Sequence, residues 1–242
     1  GLTGVGSQAF QEQLQPIFGK GVLSNKMAGW KSFGEHTRQV LESEFSDKRP
    51  LLITDNYYTA AQLRFAGFPD KVITIDRDKS VRDGRATQLA MWRMDAGSIQ
   101  DYIGQPALYI NEDSTLLLSD KINLMKEMCG FSQRIRPSTP LSLFAGDKAF
   151  SFYVIDKLVR SEPGLTGRAQ PCPYPIIAWI DTPDNEAVVR GQLTVAGWSY
   201  SEDLGIETVE LMLNGETIHP LHYGVPRPDV VSKQGVMSDP NR

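Results

Sequence analysis

Three short, nearly unbroken apolar runs, each followed by polar residues, constrain this chain most: Pro50-Leu51-Leu52-Ile53-Thr54, Lys71-Val72-Ile73-Thr74-Ile75 and Pro106-Ala107-Leu108-Tyr109-Ile110. A strand with one face in water alternates polar and apolar residues, whereas an unbroken run suits a strand covered on both faces, as in parallel sheets. Helical patterns separate the runs. Residues 59–67 carry Ala60, Ala61, Leu63 and Phe65, with Gly67 as the stop. Residues 85–103 carry Leu89, Ala90, Trp92 and Met94, with a break near Gly97. An earlier helix opens at Gly29-Trp30, repeats Phe33, Val40, Leu41 and Phe45, and ends near Ser46-Asp47. A later one covers 119–130 through Ile122, Leu124, Met125 and Met128. This alternation predicts βαβ crossovers and a mainly parallel, three-layer α/β sheet of Rossmann or flavodoxin type over residues 25–160, after a lead-in at 1–24. Residues 133–144 and 149–159, joined at Gly146-Asp147, predict an antiparallel hairpin at the sheet edge.

Proline and glycine then crowd residues 161–175, ending in Pro171-Cys172-Pro173-Tyr174-Pro175, which marks a linker. Beyond it, Leu193 and Val195, then Val209, Leu211 and Leu213, alternate as half-buried strands do, and Asn214-Gly215 is a hairpin turn signal. Strands are expected over 176–181, 187–198, 206–213 and 216–223, forming a small all-β sandwich of immunoglobulin-like kind over 176–242. A complete sandwich of that kind takes about 100 residues. The stretch from Asp229 to Arg242 is polar with no closing strand, the pattern of a piece of a longer protein.

At 242 residues the chain is long enough for two cored domains. Its net charge of −4 argues against a nucleic-acid surface, which shows as a basic excess. The two cysteines, Cys129 and Cys172, form no CxxC and no metal pattern; one disulfide in an oxidising compartment and two free thiols are both open. No stretch approaches the roughly 20 apolar residues of a membrane span, and Gly1 to Gly6 lacks the basic and apolar regions of a signal peptide.

Ligands of open α/β sheets bind beyond the carboxyl ends of the strands. Those ends here are Asp55-Asn56-Tyr57-Tyr58, Asp76-Arg77-Asp78 and Asn111-Glu112-Asp113. The acids suit a cation or sugar hydroxyls, while the plainer use of Asp55 and Asp113 is to cap the helices that follow. Tyr57 and Tyr58 suit stacking on a sugar face, with one of them packed under the short helix. The turn after the first strand has no glycine, so the dinucleotide fingerprint is missing, as is a P-loop. His36, His219 and His222 bring no third metal ligand, and there is no Gly-x-Ser-x-Gly elbow. No cofactor, metal or catalytic residue is expected. Gln88 and Trp92 lie four apart on one helical face, behind a charged loop that includes Arg85; Trp92 serves the core or an anionic sugar or phosphate contact. The ligand-binding candidates are therefore Asp55, Tyr57, Tyr58, Asp76, Arg77, Arg85, Gln88, Trp92 and Glu112.

The order Gly29-Trp30, Thr54-Asp55-Asn56-Tyr57, Ala60-Ala61-Gln62-Leu63-Arg64-Phe65 and Gln88-Leu89-Ala90-Met91-Trp92 resembles the soluble carboxyl-terminal region of bacterial membrane glycosyltransferases. The superfamily is that of protein O-mannosyltransferases and aminoarabinose transferases, and the resemblance covers residues 25 to 160. The segment with Gly197-Trp198, Gly205-Ile206 and Tyr223-Gly224-Val225-Pro226-Arg227 looks like a domain found after that region. The resemblance implies an inner-membrane enzyme using polyprenyl-phosphate-linked sugars. This chain would be its periplasmic accessory portion, inactive alone and joined to the membrane part of the same polypeptide. Its ligand would be a lipid-linked sugar or a glycan acceptor. A secreted or periplasmic carbohydrate-binding protein without enzymatic activity is the alternative, and an independent soluble α/β enzyme a third.

Overall fold

Gly29 sets where the first helix begins. Its backbone is left-handed (φ 83°), and a Cβ there would lie 2.8 Å from Leu143 Cδ1 and 3.2 Å from the Phe144 ring, so only glycine fits. Helix α1 (Trp30–Phe45) follows and buries Phe33, Thr37 and Val40, spaced three and four apart. The computed structural model describes residues 28–46, 48–68, 72–76, 78–160, 171–184, 187–213 and 216–234, with the side chain of Ala145 excluded. The lead-in at 1–24, Arg77, most of the linker, the Asn214-Gly215 turn and the end of the chain lie outside the described residues.

After α1 come β1 (Leu51–Thr54), α2 (Tyr57–Phe65), β2 (Val72–Thr74), α3 (Asp78–Arg82), α4 (Ala86–Met91) and β3 (Ala107–Asn111). Then follow α5 (Leu118–Gly130), β4 (Ile135–Pro137), β5 (Leu141–Leu143) and β6 (Lys148–Ile155). Among the described residues these strands form one six-stranded sheet, ordered β2-β1-β3-β6-β4 with β5 also on β6. It is mixed rather than mainly parallel. β1 runs parallel to β2 and β3, whereas β6 is antiparallel to β3, β4 and β5. The predicted hairpin is antiparallel, but its first arm is split into two three-residue strands by Ser138-Thr139-Pro140, and its second arm lies inside the sheet beside β3. Leu52, Leu108, Ile110, Phe150, Phe152 and Val154 pack with Phe33 and Val40 of α1 and Ala60 and Leu63 of α2 into one core. Trp30, Phe33 and Phe150 contact ring to ring within it.

Helices α2 and α4 end in the same way with different residues. Gly67 (φ 89°) closes α2, with its N–H on the Arg64 carbonyl and the Phe68 N–H on that of Leu63. Arg93 (φ 56°) closes α4, with its N–H on the Ala90 carbonyl and the Met94 N–H on that of Leu89. Both are Schellman endings, and the second puts arginine where glycine is usual. The helix expected to run to Gly97 therefore stops at Met91; a 3₁₀ turn, Ala96–Tyr102, follows.

The chain divides into two units, Gly1–Leu165 and Thr166–Arg242. In the second, β7 (Ile177–Thr182) pairs antiparallel with β8 (Ala196–Tyr200), and β9 (Glu210–Leu213) with β10 (Glu216–Pro220). A short helix, α6 (Pro228–Gln234), occupies part of the polar stretch near the end. Two details differ from expectation: residues 187–195 form no strand, and Leu193 and Leu213 are exposed. Arg227 joins Asp181 of β7 to Asp229 of α6 at 2.9 and 2.8 Å, and holds the Asp229 carboxyl down at about 2. Neither cysteine is a free thiol; Cys129 and Cys172 are both disulfide-bonded. Among the described residues no helix is long and apolar enough to cross a membrane.

Candidate functional site

The strand order places a switch point between β1 and β3. From β1 the chain moves outward to β2, then returns across β1 to β3, so the connections leaving the two strands part above their carboxyl ends. Ligands of open α/β sheets bind at such points. Asp55 and Asn56 follow β1 there, Glu112 follows β3, and Lys148 opens β6 beside them, antiparallel to β3.

These four side chains are nearly inaccessible and mutually bonded. Asn56 is the N-cap of α2: its backbone is extended, and its Oδ1 accepts from the Thr59 N–H at 2.9 Å. Its amide nitrogen donates to both Asp55 oxygens at 3.1 Å and to Glu112 Oε2 at 3.4 Å. The Glu112 N–H donates to Asp55 Oδ1 at 3.2 Å, and the Thr59 hydroxyl to Glu112 Oε2 at 3.2 Å. Lys148 Nζ lies 4.0 Å from Glu112 Oε1 and 3.5 Å above the Trp30 ring, and donates to the Ala28 carbonyl at 3.0 Å. Tyr109 and Asn111 are also buried in β3.

Burial decides the electrostatics. It lifts the Asp55 carboxyl to about 7, against the hydrogen bonds from Asn56 and from the Glu112 backbone. It lowers the Lys148 ammonium to about 8, against the attraction of Glu112. It also pushes the Tyr109 phenol well above its usual range, helped by the charge of Asp55. Lys148→Ala leaves the Glu112 charge buried without its cation and removes the stem packed on Trp30. A loss of about 3–5 kcal/mol is expected in urea unfolding, with Lys148→Met, which keeps the stem, losing less. A loss below about 1 kcal/mol in the alanine variant would show that the pair is not structural.

The other predicted residues sit around this cluster. Tyr57 and Tyr58 stack at 4.2 Å; Tyr57 packs partly into the core and donates to Asp83 at 2.8 Å, while Tyr58 remains 49 % exposed with Lys79 Nζ 4.6 Å from its ring. The Tyr57 bond holds the Asp83 carboxyl below its usual range. Asp76 Oδ1 accepts from the Lys79 N–H at 2.8 Å at the start of α3, while burial raises its carboxyl. Capping thus falls to Asn56 and Asp76 rather than to Asp55 and Asp113. Asp55 bonds within the cluster, and Asp113 meets Lys121 at 3.3 Å and Ser151. Arg85, Gln88 and Trp92 are exposed on and beside α4, apart from the hydrogen-bonded cluster of Asp55 and Glu112. Trp92 is not a core residue. Among the described residues no three His, Cys, Asp or Glu side chains are placed to hold a metal ion.

No known family, curated protein or solved structure matches the chain. Its site is accordingly read from its own geometry. Asn56, Thr59, Lys148 and Trp30 belong to the cluster without having been singled out in the sequence. Asn56 carried a signal, as a favoured N-cap residue before a helix. Lys148 carried none, since an isolated lysine after a turn is ordinarily exposed.

Proposed function

We propose that this chain is the extracytoplasmic, non-catalytic portion of an inner-membrane glycosyltransferase that uses polyprenyl-phosphate-linked sugars. The observation that carries the reading is the Tyr57–Tyr58 stack with Lys79 over Tyr58, beside the switch point. An exposed aromatic face next to an ammonium suits a sugar ring bearing phosphate. The buried cluster beneath fixes α2 and thereby the stack. Both cysteines being disulfide-bonded supports an oxidising, periplasmic compartment. The motif order from Gly29-Trp30 to Trp92 supports the superfamily. In this reading the six-stranded sheet is the middle of three layers, and the two small sheets belong to one immunoglobulin-like sandwich. The membrane part of the same polypeptide is the partner, and a lipid-linked sugar or glycan acceptor the ligand.

The gene is expected to encode several spans of about 20 apolar residues on the same polypeptide. In membranes containing the whole protein, Tyr58→Ala with Lys79→Ala should raise the KM for the lipid-linked donor or the acceptor about tenfold while kcat changes little. A gene encoding only a signal peptide, with glycan affinity in the isolated chain, would overturn this and establish a periplasmic carbohydrate-binding protein.

A further inference from the structure

The α4 ending presents apolar side chains to water in a way that packing does not require. Leu89 and Met94 are buried, yet Met91 is 78 % and Trp92 60 % exposed. The left-handed Arg93 produces this arrangement: its turn sends Leu89 and Met94 into the core and leaves Met91-Trp92 at the tip. A non-glycine residue in that conformation is strained. Arg85, Gln88, Met91 and Trp92 fall on one side of α4 by helical spacing. The Arg64 guanidinium contacts Met94 Sδ at 3.6 Å, which brings the end of α2 to this place, and Phe65, next to Arg64, is 92 % exposed.

The charges around the tip are unequal. Among the described residues Arg64 and Arg85 have no carboxylate partner, and Arg38 meets the Ala66 carbonyl and the Phe68 ring face. Of the nearby acids, Asp101 is paired with Arg93 and Asp83 with Arg82, while Asp95, which accepts from the Ser98 hydroxyl at 2.7 Å, sets its charge against the two arginines. An exposed tryptophan, methionine and phenylalanine beside arginines that lack a carboxylate partner among the described residues match the interface of an anionic bilayer. There, aromatic rings lie at the headgroup level and each basic group adds to attraction.

We propose that Phe65, Met91 and Trp92, with Arg64 and Arg85, form a docking surface for an anionic lipid bilayer. The surface depends on these residues and not on the sugar-binding reading: a chain whose gene encoded no membrane span would still bind vesicles.

The test is co-sedimentation of the full chain with phosphatidylcholine vesicles and with vesicles containing about a third phosphatidylglycerol. Binding to the anionic vesicles is expected, weakening as salt is raised. Met91→Ser with Trp92→Ser should reduce it at least tenfold, and Arg64→Gln with Arg85→Gln should reduce it and flatten its salt dependence. All four side chains are exposed, so unchanged circular dichroism should accompany each loss. The inference is overturned by no binding to anionic vesicles, by equal binding to neutral ones, or by binding that survives the Met91 and Trp92 changes. It is also overturned by concentration-dependent self-association that Trp92→Ser abolishes, since the patch would then be an interface between copies.

Discussion

Asp55→Asn is expected to remove most of the pH dependence that burial imposes on the sheet. The Asp55 carboxyl is held at about 7 in the folded chain, against an ordinary value of 3.8. Between those values the folded chain retains a proton that the unfolded chain has released. The contribution of Asp55 to stability is therefore complete below about pH 4 and is lost as pH rises to about 7. A gap of about three pH units corresponds to about 4 kcal/mol. Asparagine is neutral throughout, and its carbonyl can still accept from the Glu112 N–H. Urea unfolding at intervals from pH 4 to 8 should show the wild type losing about 4 kcal/mol relative to the variant across that window. Parallel curves would mean that water reaches Asp55 in solution. Lys148 acts in the opposite direction and in a separate window: its charge is disfavoured in the folded chain, so its contribution rises from about pH 8 upward. Measurements up to pH 7 exclude Lys148, and the comparison with the variant separates Asp55 from Asp76, whose carboxyl burial also raises.

Gly197→Ala is expected to disrupt the second unit. A Cβ at that position would lie 2.2 Å from the Trp179 carbonyl oxygen and 3.1 Å from Ile180 Cα, both backbone atoms of the paired strand. A flexible side chain could move aside, but a paired backbone cannot without breaking its ladder. The register between β7 and β8 already shifts between Ile180 and Thr182, so this is where the strands approach closely. A loss of about 3 kcal/mol or more is expected, read as accelerated hydrogen exchange at the β7 and β8 amides with β1 and β3 unchanged. Wild-type protection in the variant would show that the strands separate there at little cost.

What the sequence disclosed depended on whether a local rule decided the outcome. Leu51-Leu52-Ile53 and Ala107-Leu108-Tyr109-Ile110 became central strands because an unbroken apolar run has few other homes. Gly67 ended α2 because glycine adopts the left-handed conformation without strain, whereas Arg93 ended α4 with no glycine to announce it. The arms at 133–144 and 149–159 were recognisable as antiparallel, but the position of β6 beside β3 is a long-range pairing that no local pattern states. Asp55 and Glu112 were identifiable as residues at strand ends. Their enclosure with Asn56 and Lys148 was not, since burial of a charge depends on which distant groups surround it. In the second unit, the alternation at Leu193 and Val195 mimicked a strand where the chain makes none, and only pairing partners could have decided the matter.

The ends of the large sheet carry a consequence for crowded surroundings. β2 is a three-residue strand at one margin, and the Thr74 N–H is taken at 2.8 Å by the Met94 carbonyl as the chain folds back after α4. At the other margin β4 is equally short and ends in Pro137, which has no N–H to offer. Short, covered or proline-bearing margins give an incoming strand little to pair with. Many copies of this sheet held at high local density would therefore meet mainly through side chains, with little edge to serve as a template for fibrous growth of the next.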